Sequence, residues 1–153
     1  MALSAQELFD RGLAGIRQQG CRSSKDGACK YRLRTDDGRT LKCAVGHIIP
    51  DTIYTPRMEN FIDVVWDEFD SLRTLIGQEN YKLACAMQRA HDRATDGYER
   101  EWVLSSEELS DLSLDSQEEY VEKAFEKVAE RFGLTYVRLP WNRPAKYPVP
   151  MVI

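Results

Sequence analysis

An α+β fold, mainly helical with a small antiparallel sheet, is predicted by three features of this sequence. Between Cys29 and Val45, apolar and polar residues alternate on both sides of an Asp36-Asp37-Gly38 turn, the period of a half-buried strand pair. Four segments elsewhere repeat their apolar residues at helical spacing, each closed by a glycine or an Asp-Gly pair, as helices are stopped. From Pro140 onward there are four prolines in eleven residues, a composition that gives an extended chain.

The hairpin, at about residues 29–46, is the organising element. A short loop ending in glycine suits a strand reversal, because Gly38 can adopt the left-handed backbone conformation. Centring the turn there pairs Leu33 with Leu41, Tyr31 with Cys43 and Cys29 with Val45, and puts all six on one face. Lys30, Arg32, Arg34 and Lys42 fall on the other, so Arg32 and Arg34 are expected to be exposed. In that register Cys29 and Cys43 are diagonal neighbours, about 7–8 Å apart, and free thiols are expected rather than a bridge.

The first helix is predicted to begin at a Ser4–Glu7 capping box with a Leu3–Leu8 staple and to end at Gly20. Asp51 and Thr55-Pro56 read as helix starts. Phe61, Val65, Phe69, Leu72 and Ile76 mark one long second helix stopped by Gly77. The third, about residues 78–95, carries Gln88, His91 and Asp92 on the face that should be buried, and Asp96-Gly97 should break it. These three residues are expected to tie down the segment from Gly46 to Tyr54. Ser105 and Glu108 cap a short turn, and Ser116 with Glu119 caps the last long helix, which ends at Gly133. Residues 134–139 read as a further strand beside the hairpin. Residues 1–139 are thus expected to form one compact domain, followed by an extended, proline-rich tail at 140–153 outside the core.

Charge is distributed unevenly. Nine basic and three acidic residues lie between Arg11 and Lys42; twenty acidic and eight basic lie between Asp51 and Glu130. Every charged residue after Glu130 is basic. The plain reading is two solvated faces of opposite sign. No apolar run approaches membrane-spanning length, and four cysteines in 153 residues do not make a disulfide scaffold. A soluble protein of the cytoplasm, with no membrane partner, is the expectation.

The residues C-x-Y-R from Cys29, then D-G-x-x-x-K-C-A-V-G-H-x-I-P-D-x-x-Y-x-P-x-M-E from Asp37 through Glu59, resemble a family of small proteins of tailed bacteriophages and prophages. Gln88-x-x-His91-Asp92 is similar to a second motif of the same proteins. Asn60 departs from the pattern, which has glycine there, and the C-terminal region has no counterpart. The resemblance implies a phage-type accessory protein acting in the host cell and implies no particular chemistry.

Neither phosphate-binding glycine motif is present. Cys29, Cys43, His47 and His91 are the only zinc-like set, and their spacing is wrong for a structural site; no metal or cofactor is expected. As a thiol enzyme, the protein would use Cys43 as nucleophile and His91 as base, oriented by Asp51 or Glu59. As a nucleic-acid binder it would use Lys30, Arg32, Arg34, Arg39 and Lys42 against phosphates, extended by Arg138, Arg143 and Lys146. The leading expectation is binding of a host protein through a surface that includes this basic hairpin face, with nucleic acid the alternative. Gln88, His91, Asp92 and His47 form the candidate polar cluster.

Overall fold

The computed structural model describes residues 2–25, 28–95, 104–145 and 148–150. The fold is α+β and mainly helical. In chain order the elements are α1 (Ala5–Gln19), β1 (Ser24–Lys25), β2 (Ala28–Cys29), β3 (Leu33–Arg34), β4 (Thr40–Leu41), α2 (Ala44–Ile48), α3 (Ile62–Glu68), α4 (Asp70–Ile76), α5 (Tyr81–Arg93), α6 (Ser106–Ser110) and α7 (Leu114–Phe132), with 3-10 turns at Pro56–Met58 and Gln78–Asn80.

α1 starts and stops where its sequence says. Ser4 and Glu7 form the reciprocal capping box, and Gly20 takes a left-handed conformation that lets its N–H return to Ile16. Its buried stripe is Leu8, Phe9, Leu13 and Ile16, and Phe9 meets Phe125 of α7 edge-on at 5.9 Å. Its other contacts are with α2 and α5, through glycine. A Cβ on Gly12 would lie 2.4 Å from the Met87 methyl, and one on Gly15 would lie 2.2 Å from the His47 ring. α5 fills the space against α1, α2 and α7.

The hairpin forms in the predicted register, Leu33 opposite Leu41, but its ladder is only two residues long on each side. Above it the strands part for two reasons. The Tyr31 and Arg32 N–H groups both donate to the Glu59 carboxylate, at 3.1 and 3.0 Å, so neither is available for a ladder. Opposite them, Cys43 is already the cap of α2, so Val45 is helical and not a strand partner of Cys29. Cys29 instead opposes Ser24 in a second two-stranded sheet. Tyr31, Leu33, Leu41, Cys43 and Val45 are all buried.

Other boundaries move. Asp51 begins a turn, not a helix. The expected long second helix is two, broken at Phe69 (φ −116°, ψ 105°). The Arg73 guanidinium takes the Trp66 and Asp67 carbonyls freed at the break. α5 ends at Ala94, in a left-handed conformation; the expected breaker Asp96-Gly97 lies outside the described residues. α7 is capped by Ser113, whose hydroxyl accepts from the Ser116 N–H at 3.2 Å, so Ser116 sits inside the helix. The earlier start lets the buried Gln117 donate to the Ser110 and Leu112 carbonyls.

Residues 134–139 form no strand. Gln6 takes both backbone groups of Thr135, at 2.9 and 3.1 Å, and Arg17 takes the Val137 carbonyl at 2.7 Å; side chains of α1 replace a sheet partner. The tail beyond Pro140 also contributes to the interior. Trp141 is buried in the core and donates to Glu122 at 2.9 Å. The Asn142 N–H caps α1 at the Arg17 carbonyl, and Thr35 pairs with Pro150.

The opposite charges of the two halves neutralise each other inside this fold. Glu122, almost wholly buried, receives two donors from Arg17 (3.0 and 2.7 Å), the Tyr136 hydroxyl (2.7 Å) and Trp141. Burial pushes its carboxyl up, but the Arg17, Tyr136 and Trp141 donors outweigh that and hold it below the usual carboxylate range. Arg138 and Arg143 both reach Glu118.

Candidate functional site

Residues of the Cys29–Glu59 stretch, together with Gln88, converge on α2. A five-residue helix cannot stand on its own hydrogen bonds, and here both ends are satisfied by side chains from elsewhere. At the N-terminus, the Cys43 sulfur accepts from the Gly46 N–H at 3.4 Å, and the Gln88 carbonyl oxygen accepts from the Val45 N–H at 2.9 Å. At the C-terminus, the Arg32 guanidinium donates to the carbonyls of Gly46 (2.7 Å) and Ile49 (2.6 Å), and also to that of Tyr31 (3.0 Å). Gly46 has no room for a side chain, since a Cβ would lie 2.5 Å from the Tyr31 carbonyl oxygen.

Arg32 is therefore not on a solvent face. Its side chain is only 9% exposed, stacks over the Tyr54 ring at 4.5 Å and meets Asp51 at 3.1 Å. The alternation of the sequence puts Arg32 opposite Tyr31, but the rest of the chain folds back over that face and covers it. Tyr54 in turn donates to Glu59 at 2.6 Å. Cys29, Tyr31, Arg32, Cys43, Gly46, Asp51, Tyr54, Glu59 and Gln88 are thus one hydrogen-bonded and packed unit.

His91 and Asp92 serve a different segment. The fully buried His91 imidazole accepts the Ser23 N–H on Nε2 at 3.1 Å, while its Nδ1 and the Asp92 Oδ1 are buried with no hydrogen-bond partner among the described residues. Burial, then the charges of Arg22 and the nearby His47, hold His91 neutral, well below the ordinary histidine range. Arg22 itself is fully buried and donates to the His91 and Asp92 carbonyls at 2.8 and 2.7 Å and to Ser106 and Ser110. The expected contacts with residues 46–54 do not occur in that form: Gln88 binds one residue earlier, at Val45, and His91 binds Ser23. Gln88 and His91, on the buried face of α5, go to nearby backbone N–H groups, because those would otherwise be unsatisfied.

The groups of the thiol-enzyme reading are not assembled. Cys43 and His91 share no hydrogen bond, since each binds a backbone N–H elsewhere. Asp51 is exposed and pairs with Arg32 and Lys42, and Glu59 is committed to Tyr31, Arg32 and Tyr54. The neighbouring Cys43 thiol, then burial and the charges of Cys43 and Asp92, push the Cys29 thiol well above the ordinary thiol range. All four cysteines are free. Among the described residues no group of three or more His, Cys, Asp or Glu is gathered as a metal site. His47, packed on Gly15, is pushed down to about 4 by burial and by Lys42 and Arg32.

The expected basic face is thinned in the same way. Arg34 is exposed, but Arg39 donates to the Gln19 carbonyl at 3.0 Å. Lys42 lies 3.8 Å from Asp51, and Lys30 is half-buried. Arg138 and Arg143 are engaged with α7, and Lys146 lies outside the described residues. Sequence periodicity missed two features. Arg22, in a polar loop with no period, is in the core; Phe61, one of the apolar residues that mark the second helix, is 80% exposed. Among the described residues no helix is long and apolar enough to cross a membrane. No family model matches the chain, and no curated protein or solved structure is similar to it.

Proposed function

We propose that this chain is a phage-type accessory protein that acts by binding a host protein in the cytoplasm. The observation that carries the reading is the exposed pair Phe61 (80%) and Val64 (41%) at the start of α3. An aromatic side chain left in water gains nothing for the fold, whereas aromatic anchors dominate the energy of protein interfaces. Around it Asp63 and Asp67 are exposed, so the surface is complementary to an apolar pocket with a basic rim. The motif residues support the same reading from the other side. Cys43, Gln88 and Arg32 build the scaffold around α2, and none of them is left free for a substrate.

A photoreactive phenylalanine analogue at position 61, introduced during expression in the host, tests this. The expected result is cross-linking to a discrete protein, lost on Val64→Ser in the same chain. The same analogue at position 34 reports on the nucleic-acid alternative. Cross-links to nucleic acid from position 34, with none to protein from position 61, overturn the proposal.

A further inference from the structure

We propose that residues 136–139 form an open strand edge that binds an extended, basic segment of a partner protein. This surface is separate from the one at Phe61 and stands or falls without it. Along residues 134–139 the side chains alternate. Tyr136 and Arg138 turn down onto α7, the first to Glu122 and the second to Glu118, Glu119 and Glu122. Val137 (62%) and Leu139 (52%) stand out in water. The backbone alternates too. Both groups of Thr135 and the Val137 carbonyl are taken by Gln6 and Arg17 of α1. In an extended chain, successive residues aim their N–H and C=O at opposite edges, so those of Tyr136 and Arg138 point away from α1. Among the described residues nothing hydrogen-bonds them. A row of unpaired N–H and C=O groups is a template for a further strand.

The neighbouring surface of α7 sets the chemistry of the occupant. The segment runs along Ala129, Glu122 and Glu118, beginning where the Leu134 N–H bonds the Ala129 carbonyl. α1 meets α7 on one side of that row, through Phe125. On the other side, at about 100° per residue, the next row is Glu119, Glu126 and Glu130, all exposed, with Lys123 farther round. The open edge faces that side. A strand laid against it puts one set of side chains over the three carboxylates and the alternate set beside Val137 and Leu139. The fitting sequence therefore alternates lysine or arginine with an apolar residue. A second copy pairing by the same edge would bring its own Glu119 row against this one, like charge against like, and a nucleic acid would be repelled in the same way.

The test is amide hydrogen exchange by NMR on the full chain, with a hexapeptide of alternating lysine and valine as the probe. At a peptide concentration about ten times Kd, the Tyr136 and Arg138 amides should exchange about tenfold more slowly, with the Val137 amide unchanged. A hexapeptide of alternating glutamate and valine should give no protection. Glu119→Lys combined with Glu126→Lys should reverse that choice of peptide. Arg138→Pro, which removes one edge N–H, should abolish the protection of Tyr136. Arg138→Ala, which loses the side-chain pairing but keeps the N–H, should retain it. The proposal is overturned if the two amides stay unprotected at millimolar peptide or if both peptides protect them equally. It is also overturned if they become protected on concentrating the protein alone, which would make the occupant a second copy. Should Arg138→Pro fail to fold, the charge reversal on α7 decides, and an unchanged preference for the lysine peptide overturns the proposal.

Discussion

Replacing Arg32 by alanine separates a structural arginine from a surface one. The side chain makes charged hydrogen bonds to the carbonyls of Tyr31, Gly46 and Ile49 at 2.6–3.0 Å, and such bonds contribute about 1.5–3 kcal/mol each in isolation. Its stacking on Tyr54 adds about 0.5–1 kcal/mol. The pair with exposed Asp51 adds about 0–1 kcal/mol. These terms share one side chain and do not add, and water can reach part of the carbonyl surface once the side chain is gone. A loss of about 2–4 kcal/mol is expected, or roughly 5–15 °C in Tm for a chain of this size. Arg34→Ala, at an exposed position two residues along, should change stability by less than about 0.5 kcal/mol. Urea unfolding followed by far-ultraviolet circular dichroism measures both. Equal midpoints for the two variants would refute the placement of Arg32 as the C-terminal cap of α2. Arg32→Lys should fall between them, because an ammonium cannot reach three carbonyls at once.

Two further outcomes follow from buried ionisable groups. His47 titrates near 4 in the folded chain against 6.5 in the unfolded one, and His91 is shifted the same way. The unfolded state therefore takes up protons that the native state refuses. Stability is complete above about pH 6.5 and is lost as the pH falls towards 4, by about 3 kcal/mol for His47. Urea midpoints should drop between pH 7 and 5, and His47→Gln should flatten that slope; midpoints that do not move would refute the assignment. Glu122→Ala should cost about 3–5 kcal/mol, since it strands Arg17 beside the core and removes the acceptor of Trp141. Thermal melts and tryptophan emission check this, and an unchanged Tm would remove the network from the account of stability.

What could be read from the chain divides by range. Helix ends were legible where the capping residues lie within four positions of one another, as at Ser4–Glu7, Gly20, Ser105–Glu108 and Gly133. The hairpin register was legible because Gly38 fixes the turn and a one-residue slip would have exposed Leu33 and Leu41. Where two local signals competed, the sequence could not choose. Ser113 and Ser116 can each cap α7, and burial of Gln117 favours the earlier one. The apolar spacing from Phe61 to Ile76 fits one helix as well as two, and the capture of the freed carbonyls by Arg73 permits the break.

The site itself was decided by tertiary structure. Alternation assigns Arg32 to the face opposite Tyr31, but it carries no information on what later folds over that face. Glu59, twenty-eight positions from Tyr31, takes the N–H groups that a longer ladder would need, and the carbonyls at the end of α2 draw the guanidinium inward. The same holds for residues 134–139, whose strand-like composition is overruled because Gln6 and Arg17 reach their backbone first. By itself the sequence determined the longer helical segments, where the chain would reverse and which residues would be apolar and buried beside the turn. Only the fold decided which polar groups became the partners of which backbone atoms, because each buried N–H and C=O must be satisfied by whatever the packing brings within about 3 Å.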